Sequence, residues 1–456
     1  MYKGLLGVIG AAAINFLSGC AVIDKDQKFV YPQIVENLEH RNKHFSLENT
    51  VREQGQLYVG ASAVEITPNN QQYLAGFNAN RKSDGVRDEL FSKCVVLAYN
   101  NKTVAFVSLD LIGFMHENVD DVRYLVSKIK GNFVDKLIIS STHTHSAPDT
   151  IGMWGFGLPF LPLNSGIDKE YVSFLYDKIV ESVFRAQKDL KPARMFYASK
   201  EISKEKKVSR NYHPEFSDLI DRQLSVLQFV GLDEKTISTL VNYGCHPEAF
   251  NQKNKKVTSD FVGVLNSELE KKFGGVSVFF NQSIGGLITT DIDDSKSGDL
   301  DYLASQCERI GKTIADETAD CLVDKVECKN PKLNFYSAEF FVPVDNKFFR
   351  IGNFLGIVAK RDYGSFVKSE VDRIDVGDAQ IITVPGEIFP DLGKKIKLMM
   401  AGKINFILGL ANDELGYIMF PKYFDIKDFS YETTMSPGKN TGLIVEENAV
   451  KLLKEK

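Results

Sequence analysis

Residues 137–148 read LIISSTHTHSAP. The first five, Leu137–Ser141, form an apolar run of strand length. Two histidines, His143 and His145, follow at once. Histidine is scarce in this chain, 7 in 456 residues, so two at one strand end is a concentration. Ligand crevices in α/β sheets form at the carboxyl ends of strands. On an extended chain His143 and His145 face one side, because side chains alternate with period two. That arrangement presents two imidazoles to a single metal ion.

The same pattern recurs downstream. Ile237–Tyr243 is an apolar strand, and Asn242-Tyr243-Gly244-Cys245-His246-Pro247 ends it with a third histidine. Two strand ends that each deliver imidazole point to zinc, which also takes carboxylate oxygen and keeps a position open when catalytic. Asp110, Asp260 and Glu387 are candidate carboxylates at strand ends, and spacing does not choose among them. Elsewhere, strand-like runs (Val95–Tyr99, Val104–Leu111, Leu224–Val230, Val276–Phe280, Ile374–Thr383, Ile404–Leu410) alternate with helix-like ones (Gln33–His40, His116–Lys130, Tyr171–Leu190, Phe261–Phe273, Asp299–Asp324, Ile388–Ala401). No linker, repeat or low-complexity tract interrupts them. The expected fold is mixed α/β: one large catalytic domain with mixed β-sheets flanked by helices.

Composition narrows the function. Apolar residues make up 43% and charged residues 25%, with a net charge of −5, as in a globular protein. A pI near 5.9 argues against nucleic acid as a partner. One cation, Lys3, precedes an apolar run from Leu5 to Leu17. That is too short to span a bilayer core of roughly 30 Å, and fits a signal-peptide core. It ends in Leu17-Ser18-Gly19-Cys20, which resembles a bacterial lipobox. Residues 1–19 are therefore read as a lipoprotein signal peptide, Cys20 as the lipidated residue, and 20–55 as a tether. Residues 56–456 are read as the one large domain. The chain would be lipid-anchored in a bacterial cell envelope, extracytoplasmic, in the outer membrane if the cell is Gram-negative, since Ala21 rather than Asp follows. Such a compartment permits disulfides, but Cys94, Cys245, Cys307, Cys321 and Cys328 show no framework spacing and read as buried thiols.

Thr142-His143-Thr144-His145-Ser146-Ala147-Pro148, Asn242-Tyr243-Gly244-Cys245-His246-Pro247 and Pro385-Gly386-Glu387, in that order, resemble the N-terminal catalytic domain of the neutral/alkaline (non-lysosomal) ceramidase family. Ala75-Gly76-Phe77, Asp88-Glu89-Leu90, Ser108-Leu109-Asp110-Leu111, Ser209-Arg210-Asn211, Gly416-Tyr417-Ile418 and Tyr431-Glu432 add to the resemblance, which covers about residues 57–440. It implies one zinc ion per chain, with His143, His246, Glu387 and Tyr417 at the ligand positions. His145 falls on the active-site histidine, general base and then acid; Arg210 and Tyr431 fall on residues that face the substrate amide. Asp110 and Asp260 become candidates to orient the ligand histidines. The implied reaction is cleavage of the N-acyl amide of a sphingolipid or related lipid amide by a zinc-activated water.

The chain departs from the family in two places. The family's Gly-Asp-x-Ser-Pro stretch corresponds here to Gly285–Thr290, with Gly286 at the aspartate position and Ile288 at the serine position. A serine nucleophile is thus not supported, whereas a metal-activated water needs none. The immunoglobulin-like domain that follows the catalytic domain in full-length members has no counterpart before Lys456. The apolar stretch Ile151–Leu163, with Trp154, is expected either to line a lipid-facing cleft or to pack in the core, and Phe348–Ile357 likewise. Two further readings stand beside the ceramidase-like one: a zinc hydrolase of another ester or amide, and a surface lipoprotein that keeps the fold without catalysis.

Overall fold

The computed structural model describes residues 32–42, 45–47, 52–158, 161–358 and 365–455. The expected signal peptide (residues 1–19), Cys20 and about half of the expected tether (residues 20–55) lie outside the described residues. Eight strands build the larger sheet: β1 (Leu57–Glu65), β2 (Phe91–Tyr99), β3 (Lys102–Leu109), β4 (Lys136–Ser141), β5 (Lys191–Glu201), β6 (Gln223–Gly231), β7 (Thr236–Tyr243) and β8 (Val276–Asn281). Their spatial order is β8-β7-β6-β5-β1-β2-β3-β4, with the short strand Val326–Cys328 added beside β5. The middle is antiparallel, while β3–β4 and β7–β8 at the two edges are parallel. Each edge pair is a strand–helix–strand unit, through α2 (His116–Ser127) and α4 (Phe261–Phe273). The helix N-terminal to them is α1 (Pro32–Asn42), and α3 (Lys169–Lys188) follows α2.

Period-two alternation decides which side chains go where. Cys94 and Val96 of β2 pack with Val119, Leu175 and Ile179 of the helices, while Val95 and Leu97 face a second sheet. On β6, Leu224 and Val226 face α4 and α5 (Leu300–Cys321), and Leu227 and Phe229 turn the other way. The second sheet runs β9 (Leu333–Pro343), β10 (Phe366–Val376), β11 (Ala379–Thr383), β12 (Ile404–Leu408). Its far face is covered by α7 (Pro390–Met399) and α8 (Thr441–Leu453), with α6 (Lys347–Phe354) between β9 and β10. The result is helix, sheet, sheet, helix, with the principal core between the sheets.

The larger sheet curls until its edges approach. The Ser108 hydroxyl on β3 donates to the Phe279 carbonyl on β8 at 2.7 Å, and Phe106 meets Phe280 edge to face. β12 closes the gap: Ser140 Oγ donates to Gly409 O, and Asn242 Nδ2 donates to both Phe280 O and Ile407 O. These polar bonds in an apolar core fix how the sheets meet. The carboxyl ends of β4, β7 and β12 are thereby gathered at one place.

Sequence expectations hold for most elements, with one clear exception. Ile374–Thr383 is not one strand but the end of β10, a turn at Gly377-Asp378, and β11. Gly377 takes φ +56° there, a left-handed conformation that glycine adopts at no steric cost. Cys94, Cys245, Cys307, Cys321 and Cys328 are buried free thiols.

Candidate metal centre and cleft

His143 and His145 converge, but not by strand alternation. The chain leaves extended conformation at His143, whose φ is +71°; such strain in a non-glycine residue persists only where its surroundings enforce it. Here the His143 N–H donates to Leu111 O at 2.8 Å and the Thr142 N–H to Leu109 O. The three imidazoles of His143, His145 and His246 lie with ring centroids 5.0–5.5 Å apart and are all buried. Their ligand atoms come within 4.8 Å of one another.

Glu387 completes the group from the segment just beyond β11. It opens a two-residue parallel ladder with Tyr417 directly beside it. Its oxygens lie 3.4 Å from His143 Nε2 and 2.9 Å from His246 Nε2. Gly285 lets this segment approach, since a Cβ there would meet the Glu387 carbonyl at 2.5 Å.

Tautomers follow from the backbone. His143 Nδ1 donates to the Ile112 carbonyl and His246 Nδ1 to the Ile288 carbonyl. A carbonyl only accepts, so Nδ1 carries a proton in each ring, and Nε2, an acceptor when unprotonated, is turned on the Glu387 carboxylate. Acceptors facing acceptors need a proton or a cation between them. Burial alone would raise the Glu387 carboxyl, but the two histidines outweigh it and hold it well below the ordinary range. Burial would likewise lower His246, yet its bond to Glu387 pushes it up to about 9. A site that retains a proton so strongly suits a divalent cation, and two imidazoles with a carboxylate suit zinc.

His145 differs from the other two. Burial lowers it to about 4, against the pull of Glu248, so its ring is neutral. Its Nδ1 is 3.1 Å from Glu248 Oε2. Burial would raise Glu248, but His145 draws it down to about 2. Glu248 was not among the expected residues, although it directly follows the Asn242–Pro247 stretch. Gly76 was also missed as a site residue. Its φ is +97°, and a Cβ there would sit 2.4 Å from the His145 ring.

The cleft beside the histidines has a volume of about 600 Å³, open mouth included. Tyr417 and Tyr431 line it, with ring centroids 6.0 Å apart. Trp154, Met153, Phe349 and Val358 make its apolar wall, so each of the two apolar stretches sends side chains into the cleft, Met153 and Trp154 from one and Phe349 from the other. Arg210 does not line it: its Nη2 donates to both Asp294 oxygens, at 2.8 and 2.7 Å. Nor do Asp110 and Asp260 orient the histidines, as backbone carbonyls do so. Asp110 accepts from the Phe91 N–H, and Asp260 caps α4 while accepting from Ala249 and Phe250. Ile288, at the family's serine position, is buried and offers His246 its carbonyl alone.

The sequence profile described as "Neutral/alkaline non-lysosomal ceramidase, N-terminal" matches residues 57–340. The chain is 25% identical over 231 residues to the neutral ceramidase of Pseudomonas aeruginosa, covering 47% of this chain and 34% of that one. It is 26% identical over 297 residues to the neutral ceramidase of Drosophila pseudoobscura pseudoobscura, covering 59% and 40%. The matches thus span about a third to two fifths of these relatives. The crystal structure of the Pseudomonas aeruginosa enzyme aligns with a TM-score of 0.69 at 18% identity, over 88% of this chain and 75% of that one. Glu387, Tyr417 and Tyr431 lie beyond the profile match and rest on the geometry above.

Proposed function

Because this chain belongs to the neutral/alkaline non-lysosomal ceramidase family, we propose that it is a zinc-dependent amidohydrolase of N-acylated lipids. The observation that carries the reading is the lone-pair convergence of His143 Nε2, His246 Nε2 and the Glu387 carboxylate in a buried pocket. Those three would hold the ion, with Tyr417, Glu387's ladder neighbour, as a fourth oxygen donor. When bound, zinc supplies Lewis acidity and lowers the pKa of a water towards about 7.

The chain's own residues supply the rest. His145, neutral and braced by Glu248, takes a proton from the attacking water and returns it to the departing amine nitrogen. Tyr431, on the cleft wall, would hydrogen-bond the substrate carbonyl as charge develops on its oxygen. The apolar wall from Trp154 to Val358 excludes water and holds an acyl or sphingoid chain. No serine is required, so Ile288 is compatible with this scheme. The sequence features at Leu17–Cys20 support a lipidated, extracytoplasmic domain comprising residues 56–456.

The test is elemental analysis of the purified protein with an assay on fluorescent N-acyl-sphingosine, with and without chelator. About one zinc per chain and chelator-sensitive release of fatty acid are expected, with both lost in His246→Ala. Full metal content in His246→Ala overturns the ligand assignment; zinc without hydrolysis overturns the substrate class.

A further inference from the structure

Phe349 and Val358 line the cleft, but their neighbours point away from it. Phe348, Ile351, Phe354 and Leu355, on α6 and its C-terminal end, are 67, 50, 71 and 60% exposed. Phe156 and Leu163, at the stem of the hairpin after Trp154, are 53 and 60% exposed. The stretches that carry them meet just upstream of the hairpin and just past α6, where a Cβ on Gly152 would strike the Ile357 carbonyl. The apolar cleft therefore continues outward onto an apolar rim. A cluster of large exposed apolar side chains around an opening marks an interaction surface.

Charge identifies the partner. Along α6 the charged residues are Lys347 and Arg350, both cations with no acid among them, in a chain of net charge −5. Phenylalanines and leucine interleaved with cations suit the boundary between headgroups and acyl chains of an anionic membrane. A second copy of the chain fits less well, because a two-fold interface would set like cations against each other. We propose that α6 and the Phe156–Leu163 hairpin stem dock on an anionic phospholipid bilayer, so that the cleft opens into the membrane. The purpose of such docking rests on the lipid-amide reading, while the docking itself does not.

Trp154 is the only tryptophan in the chain and lines the cleft next to this rim, so it reports local insertion wherever the N-terminus binds. The full chain is mixed with vesicles of phosphatidylglycerol and phosphatidylcholine whose acyl chains are brominated. Quenching of Trp154 is expected there, absent on unbrominated vesicles, with at least about tenfold weaker binding to pure phosphatidylcholine, given about 1 kcal/mol per cation. Phe348→Ser/Ile351→Ser/Phe354→Ser should lose the quenching while keeping its circular dichroism and its turnover of a water-soluble short-chain amide. Unquenched parent protein, equal quenching in the triple variant, or a vesicle-free dimer that the triple variant dissolves would each overturn docking. If no amide is hydrolysed, the catalytic reading fails while the quenching still decides the membrane one.

Discussion

His145 is the residue whose chemistry the fold has set most deliberately. It is buried, neutral and 3.1 Å from a carboxylate, whereas its two neighbours turn their lone pairs on Glu387. A base beside the metal and a ligand of the metal make different predictions. His145→Ala should keep about one zinc and lose about 10²–10⁴-fold in kcat, the range for a general acid–base group. Loss of zinc in that variant would make His145 a ligand instead. Glu248→Gln should cost about 10–100-fold, as outer partners of catalytic groups do, with KM little changed. Asp110 makes a separate prediction about stability. Burial raises its carboxyl to about 7, so between about pH 4 and pH 7 the folded chain holds a proton that the unfolded chain has released. Stability contributed by the protonated form is present at low pH and is lost as pH rises through about 7. Asp110→Asn keeps an oxygen for the Phe91 N–H and has no proton to lose. Thermal unfolding of parent and variant from pH 5 to 7 should show the parent losing about 2 kcal/mol relative to Asp110→Asn; parallel curves would refute the raised carboxyl.

At the scale of elements, α4 and α5 show how close approach is written into single residues. Gly311 on α5 faces α4, where a Cβ would lie 2.6 Å from Val264 Cβ and 2.7 Å from the Phe261 carbonyl. Gly311→Val should therefore force the pair apart and cost about 1–3 kcal/mol, seen as a lowered unfolding midpoint. An unshifted midpoint would mean that the helices slide to accommodate it. The same elements show what the sequence made legible. α4 was plain because its apolar positions repeat at helical spacing and Gly274-Gly275 stops it. β4 and β7 were plain because short apolar runs met histidines at their ends. The β10–β11 hairpin read as one strand because its turn, Gly377-Asp378, is flanked by apolar residues on both sides. Glu387 and Tyr417 become neighbours only through a two-residue ladder between chain segments 30 positions apart, which no local pattern announces. Arg210 looked like a cleft residue by resemblance, yet Asp294, 84 positions further along the chain, pairs with it instead.

At the scale of the whole molecule, the candidate ion sits on a seam. His143 and His246 come from strand ends of the larger sheet, Glu387 and Tyr417 from a two-residue ladder in the segments that follow β11 and β12 of the second, and the polar bonds of Ser140 and Asn242 cross the same seam. A cation there joins the two halves of the core, so its binding energy is also folding energy. A ligand bound only by the folded state stabilises it by about 4 kcal/mol at a thousandfold excess over its dissociation constant. Chelation should then lower the unfolding midpoint of both sheets together, as a single transition. Zinc restored in excess should return the midpoint, and His246→Ala should be insensitive to either treatment. The informative variant is Glu387→Gln, which removes the charge without removing the side chain. Without zinc it should be less stable than the parent, because it removes the carboxylate that holds the buried His246 proton. With zinc present the parent alone should gain. If chelator leaves the parent's midpoint unmoved, or splits its unfolding into two transitions, the ion is not the joint between the sheets. The bonds from Ser140 and Asn242 then hold the seam without it.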